Sequence, residues 1–166
     1  MKRLQLSAEN RERLLSGPVT VRRAVRPEPG DGVVKIAPSF ERDQYWRDYR
    51  KVAGYAGLGY CMLPARKPPY SPGEVVYVPE WWFQNFCQCC DLGCDSSPCT
   101  CMDPPLYRAD SDCWDYLIQW KSAASMPAWA ARLFAKCVSV EAVKGERWEW
   151  VCTFERCEQA RKEVGE

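Results

Sequence analysis

Histidine is absent from this chain. That removes histidine triads, histidine general bases and histidine-containing metal sites from consideration. An excess of charge is missing as well. The 166 residues carry a net charge of +1, so no global field draws the protein to nucleic acid or to a membrane, and any basic binding surface has to be local. No apolar run approaches the length of a membrane span. The opening Met1-Lys2-Arg3-Leu4-Gln5-Leu6 is basic but leads into a charged segment, not an apolar one. The expectation is therefore a chain without a secretory signal or membrane partner, cytoplasmic and in reducing surroundings.

Cysteine is what the chain has in plenty: 11, an odd number. Six fall in one window, Cys87, Cys89, Cys90, Cys94, Cys99 and Cys101. In a reducing compartment, clustered thiols point to metal before disulfide. Cys87-x-x-Cys90 and Cys99-x-Cys101 are two short chelating pairs joined by a loop, which is how a structural zinc knuckle is built. Cys89 and Cys94 are possible substitutes as ligands. Four thiolates leave no open position for water, so the Zn2+ is expected to be structural, not catalytic. Disulfides, or cysteine richness without metal, are the alternatives. The window at about 83–106 has little apolar content besides its thiols, so it reads as an insertion that burial alone cannot order. The remainder fits one domain over 1–166.

The pivot of that domain is Pro72-Gly73-Glu74-Val75-Val76-Tyr77-Val78-Pro79-Glu80-Trp81-Trp82. Val75 and Tyr77 share one strand face and Val76 and Val78 the other, so the strand is expected to be covered on both sides. Pro79 ends it, leaving Glu80, Trp81 and Trp82 at the mouth of what it encloses. The plainer reading has the two indoles plugging a barrel end. Ser7 is expected to cap a short helix with Glu9 in its first turn, stopped at Gly17-Pro18. Val19, Val21 and Val25 share a strand face with Arg23; Thr20, Arg22, Ala24 and Arg26 form the opposite, basic face, or simply a solvated one. Val33 to Ile36 reads as a short strand, residues 40–51 as loop with possible helix, and 64–72 as an extended, basic connector. Pro127 to Arg132 suggests one helical turn. Leu133 to Val140 reads as a strand with Leu133, Ala135 and Cys137 on one face and Phe134, Val138 and Val140 on the other. Lys144-Gly145 suggests a hairpin into Arg147–Phe154, where Trp148, Trp150, Cys152 and Phe154 alternate with polar residues. The tail from Glu158 is expected to fray.

Four of these segments, in this order, resemble the ASCH group of the PUA-like superfamily, in particular phage-encoded proteins of the morphogenetic type. Leu4 to Ser7 with Arg22-Arg23-Ala24-Val25-Arg26-Pro27-Glu28-Pro29 resembles its helix, turn and Thr-Arg-Arg strand. The pivot resembles its strand ending in Arg-Glu-Thr-Trp. Tyr107-Arg108-Ala109-Asp110, Trp120-Lys121 and Met126 to Arg132 resemble its Met-Pro-Arg-Trp-Ala-Ser-Arg block. Glu146 to Phe154 resembles its closing strand. The resemblance implies an α+β fold: a small PUA-like β-barrel with flanking short helices and a cleft for RNA or modified bases. A related branch hydrolyses N4-acetylcytidine with a Lys, a Thr and a Glu. Here the Lys position is Pro18, the Thr positions are Val19 and Val21, the Arg before the Glu is Pro79, and the His before Met-Pro is Ser125. Only Glu80 remains, which favours a binding module over an enzyme.

On this reading Arg22, Arg23 and Arg26 contact phosphate, Trp81, Trp82 and Trp120 offer stacking surfaces, and Glu80, Lys121 and Arg132 line the same cleft. The partner is RNA or a modified nucleobase or nucleotide, with Cys87, Cys90, Cys99 and Cys101 as zinc ligands. Two other functions compete. One is a phage accessory or anti-defence protein binding a host protein through exposed aromatics. The other is a modified-cytidine amidohydrolase with Glu80 as general acid or base and no visible nucleophile.

Overall fold

A computed structural model describes residues 1–29, 32–38, 46–51, 58–60, 66–83, 105–110 and 118–158. Residues 84–104 of the cysteine insertion expected at about 83–106, with all four expected zinc ligands, and residues 159–166 of the tail lie outside them. The described residues are mixed α+β, with ten strands, one α-helix and three short 3-10 turns. They fall into two compact units. The first comprises Met1–Leu6, Val76–Phe134 and Glu158–Glu166, and the second Ser7–Val75 and Ala135–Cys157.

In the second unit, helix α1 (Ala8–Ser16) forms where expected. The Ser7 hydroxyl accepts from the Asn10 N–H at 3.3 Å, Glu9 sits in the first turn, and the Gly17 N–H returns to the Arg13 carbonyl. Leu14 is buried, and the helix lies against β2 (Val19–Ala24) and β10 (Trp148–Arg156). Strand β10 pairs antiparallel with β2 on one side and with β9 (Phe134–Lys144) on the other. Its alternation holds throughout: Trp148, Trp150, Cys152 and Phe154 are buried, and Glu149, Val151 and Thr153 are not. The hairpin is three residues long, with Lys144 opposite Trp148 and the Gly145 N–H on the Arg147 carbonyl.

Strand β9 departs from simple alternation. Thr153 faces Ser139 while Phe154 faces Cys137, so Val138 is an extra residue in the ladder. The bulge turns both Cys137 and Val140 inward, although the sequence places them on opposite faces, and leaves Val138 exposed. Ahead of it, the Gly73 N–H donates to the Cys137 carbonyl and the Cys137 N–H to the Glu74 carbonyl. Gly73, at φ 85°, occupies the left-handed region that favours glycine.

A second sheet of this unit orders β3 (Val33–Pro38), β4 (Trp46–Lys51) and β5 (Leu58–Tyr60). Trp46–Lys51 is thus a strand, where the sequence pattern suggests loop or helix. The reason is Asp48. It occupies an inward slot beside Trp46 and is 4% exposed, so the strand's alternation is written with a charge where an apolar residue is expected. Arg66 makes that slot tenable. Its Nε and Nη2 donate to the two Asp48 oxygens at 2.5 and 2.8 Å, and its Nη1 to the Pro27 carbonyl. Arg66 is therefore a buried partner in the core, not a surface cation of a basic connector. Trp46 meets Trp150 edge-on at 5.1 Å, joining the two sheets of this unit.

In the first unit, β1 (Lys2–Arg3) runs parallel to β6 (Val75–Tyr77), opposite Val76 and Tyr77. Val76, Tyr77 and Val78 are all buried, as a strand covered on both faces requires. The strand stops before Pro79, with the Val78 N–H on the Leu133 carbonyl. The chain then passes into β7 (Trp82–Phe83), which pairs antiparallel with β8 (Leu106–Tyr107). Leu4, Met126, Ala130, Leu133 and Phe134 fill the core of this unit.

Candidate functional site

The site grows from the segment that leaves the pivot strand. Glu80 and Trp82 are two residues apart in extended chain, so their side chains fall on one side and that of Trp81 on the other. Two neighbours fix β7. Tyr107 stands opposite Trp82 on β8, and Lys121 opposite it on the other flank, through mutual backbone hydrogen bonds of 3.2 and 2.8 Å. Lys121, Trp82 and Tyr107 therefore share the side of Glu80. The Lys121 ammonium lies 4.9 Å from the Trp82 ring centre. Trp129 meets the Trp82 ring edge-on at 5.9 Å, and the Trp82 indole N–H reaches the Ser125 hydroxyl at 3.4 Å.

Arg132 closes the cluster. Its Nε donates to Glu80 Oε2 at 2.9 Å and its Nη2 to Oε1 at 3.4 Å, a fork on one carboxylate. Its Nη1 donates to Asp110, and its guanidinium stacks 4.2 Å over the Tyr107 ring. The Tyr107 hydroxyl is tied to the Ala130 carbonyl at 2.6 Å, so the ring beneath the guanidinium is itself anchored. Burial works to lower the Arg132 pKa. The hydrogen bonds to Glu80 and then Asp110 outweigh it, and the guanidinium is held above its ordinary value. Glu80 is 6% exposed and its N–H points at the Met126 sulfur, 3.4 Å away. It is the inner half of an ion pair, not a lone carboxylate among indoles.

On the opposite side of β7, Trp81 is 43% exposed, with the Arg108 guanidinium 5.8 Å from its ring centre. Trp129 is 51% exposed.

Of the residues expected from sequence, Glu80, Trp82, Lys121 and Arg132 are brought together, with Trp81 on the far side of the same strand. Trp120 is half-buried beside Lys121. Arg22, Arg23 and Arg26 lie in the second unit. Arg22 is paired with Glu149 at 3.3 Å, and Arg23 sits over the Tyr70 ring with its Nη2 3.5 Å from the hydroxyl; Arg26 is exposed. Tyr107, Arg108, Asp110 and Trp129 belong to the cluster although sequence reasoning gave them no role. For the first three the signal was a ring and two charges within Tyr107-Arg108-Ala109-Asp110; for Trp129 it was an indole among small residues in Pro127-Ala128-Trp129-Ala130-Ala131. Among the described residues no group of three or more Cys, Asp or Glu is placed to hold a metal. Comparison of the chain with protein-family models, curated proteins and solved structures finds no match in any of the three.

Proposed function

We propose that this chain is a small ASCH/PUA-like module, strand-built around a barrel. In this reading it binds single-stranded RNA, or a modified nucleobase within it, through the first unit. The observation that carries the proposal is a pair of open indoles: Trp81 with Arg108 beside it, and Trp129 against Trp82, whose ring lies under Lys121. A base stacked on an aromatic side chain contributes about 1–3 kcal/mol, whatever its identity, and adjacent cations take the phosphates. Arg108 and Trp81 are 5.8 Å apart. A base between them would need about 7 Å, two stacking gaps of ~3.5 Å, so the base lies on the open face of Trp81 or displaces Arg108.

Binding rather than hydrolysis fits the carboxylate's situation. Both Glu80 oxygens face Arg132 donors, and Pro18, Val19 and Val21 stand where the related hydrolases carry Lys and Thr. The zinc knuckle on Cys87, Cys90, Cys99 and Cys101 belongs to the same proposal, as the cross-link that orders the insertion.

Titrating a short RNA into the protein while following tryptophan emission tests the reading. Quenching that weakens as salt rises is expected, with Trp81→Ala and Trp129→Ala each raising the Kd about tenfold or more. No response to RNA or single-stranded DNA, with nuclease-insensitive capture of one host protein instead, would replace it with the accessory-protein reading.

A further inference from the structure

Two carboxylates meet the one guanidinium of Arg132, and their surroundings differ. Glu80 is on the inner side, with 8% of its side chain exposed, and takes the Nε–Nη2 edge. Asp110 is on the outer side, 58% exposed, and meets Nη1. One acid is enough to balance a guanidinium, and the buried Glu80 is that acid. Asp110 is surplus to the balance. An exposed pair of this kind contributes little to stability, because water and salt compete for both partners. The guanidinium is held without it. The fork on Glu80 fixes one edge, and the Tyr107 ring, tied to the Ala130 carbonyl, lies against the plane. A planar fork with one edge locked keeps the rest of its donors aimed in a set direction. Such a preset edge suits a phosphate oxygen, since little side-chain freedom is lost on binding.

We infer that Asp110 is a resident stand-in for a ligand phosphate: when a nucleic acid binds, a phosphate oxygen takes the Nη1 edge of Arg132 and the Asp110 carboxylate is released to water. The inference deepens the binding function proposed above and rests on it. Placement favours the exchange. Arg132 follows the open Trp129 by three residues, at most about 11 Å of chain, so a base on that indole brings a phosphate within reach of Arg132. Burial decides which acid leaves. Freeing Glu80 would strand a charge in the core, whereas Asp110 regains full hydration when it lets go. The consequence is a threshold. An anion is held only if it binds Arg132 better than Asp110 does, which rejects solitary small anions and accepts a phosphate whose base also stacks.

The test is the sign of one substitution. Asp110→Asn removes the competing charge and keeps the shape. For a single-stranded RNA of about six nucleotides at low salt, the Kd should fall roughly fivefold, the scale of one exposed ion pair and one exposed repulsion. The gain should shrink as salt rises, because salt screens the carboxylate too. Glu155→Gln makes the same change in net charge at an exposed position of the second unit, and should leave the Kd within about twofold of wild type. The same RNA with a 5′-phosphate or a 5′-hydroxyl, in separate arms, locates the phosphate. A gain confined to the phosphorylated end assigns a terminal phosphomonoester, and an equal gain in both assigns the phosphodiester backbone. Circular dichroism and a thermal melt establish that the variant is folded, and Asp110→Ala gives the same reading if Asp110→Asn is destabilised. Unchanged or weaker binding by the folded variant overturns the inference, since an Asp110 that merely buttresses Arg132 would lower affinity when lost. RNA that binds the wild type, weakens with Trp129→Ala and gains nothing from Asp110→Asn removes the exchange and keeps the binding site. RNA that binds neither the wild type nor Asp110→Asn removes both.

Discussion

At the scale of single residues, the cluster rests on one buried carboxylate and the cation that accompanies it. Truncating Arg132 to Leu strands Glu80 at 6% exposure without its fork. Breaking a wholly buried pair costs ~3–5 kcal/mol. Arg132 keeps a side-chain exposure of 30%, and solvent offsets part of that. A loss of about 2 kcal/mol in a urea melt is the expected outcome, and Arg132→Lys should recover only part of it, because an ammonium cannot fork. The thiols make a second case. Burial pushes Cys152 up to about 12 from 9.0, with Cys137 adding to the shift. The folded protein thus holds this proton more tightly than the unfolded chain. The stability so gained is whole below pH 9 and is lost as pH climbs toward about 12. Tyr70, raised chiefly by burial, acts in the same direction. Melting temperature should fall across that window, and less steeply in Cys152→Ala. A thiol reagent at pH 8 should titrate as many groups in native Cys152→Ala as in native wild type, and one fewer in denaturant.

At the scale of elements, what could be read from sequence depended on whether inward slots were filled by apolar side chains. Strand β10 was fully legible, since Trp148, Trp150, Cys152 and Phe154 all point inward. Helix α1 was legible from its ends, and Ser7→Ala should lower stability by about 1 kcal/mol by denaturant melt, the usual worth of a side-chain cap. Strand β4 was hidden because Asp48 holds a core position that only Arg66, eighteen residues away, makes tolerable. The face assignment on β9 failed past Cys137 because a bulge at Val138 changes parity, and no local pattern announces a bulge. In each failure the deciding partner lay elsewhere in the chain.

At the scale of the molecule, the same distinction governs the site. Its inner members, Glu80, Trp82, Lys121 and Arg132, were named from separated segments of the sequence, as rings and charges beside or after the pivot strand. What was not legible was the pairing: that Arg132 takes Glu80 and stacks on Tyr107, or that Glu149 and Tyr70 already engage Arg22 and Arg23. Those contacts join residues far apart in the chain. The zinc knuckle is also a claim about the whole chain. Protein made in reducing cells should carry one Zn2+ by native mass spectrometry, and Cys87→Ser with Cys90→Ser should abolish it; metal-free protein with its thiols oxidised in pairs would replace the knuckle with disulfides.

The proposed function stands most directly on where a bound strand touches the protein. Ultraviolet crosslinking of a short RNA, followed by mass mapping of the attached peptides, reads this without relying on any variant. Adducts at Trp81 and Trp129, in the segments that carry Glu80 and Arg132, are the predicted result. Saturating RNA that leaves both of those indoles unmodified, or that crosslinks only outside the first unit, would contradict the account.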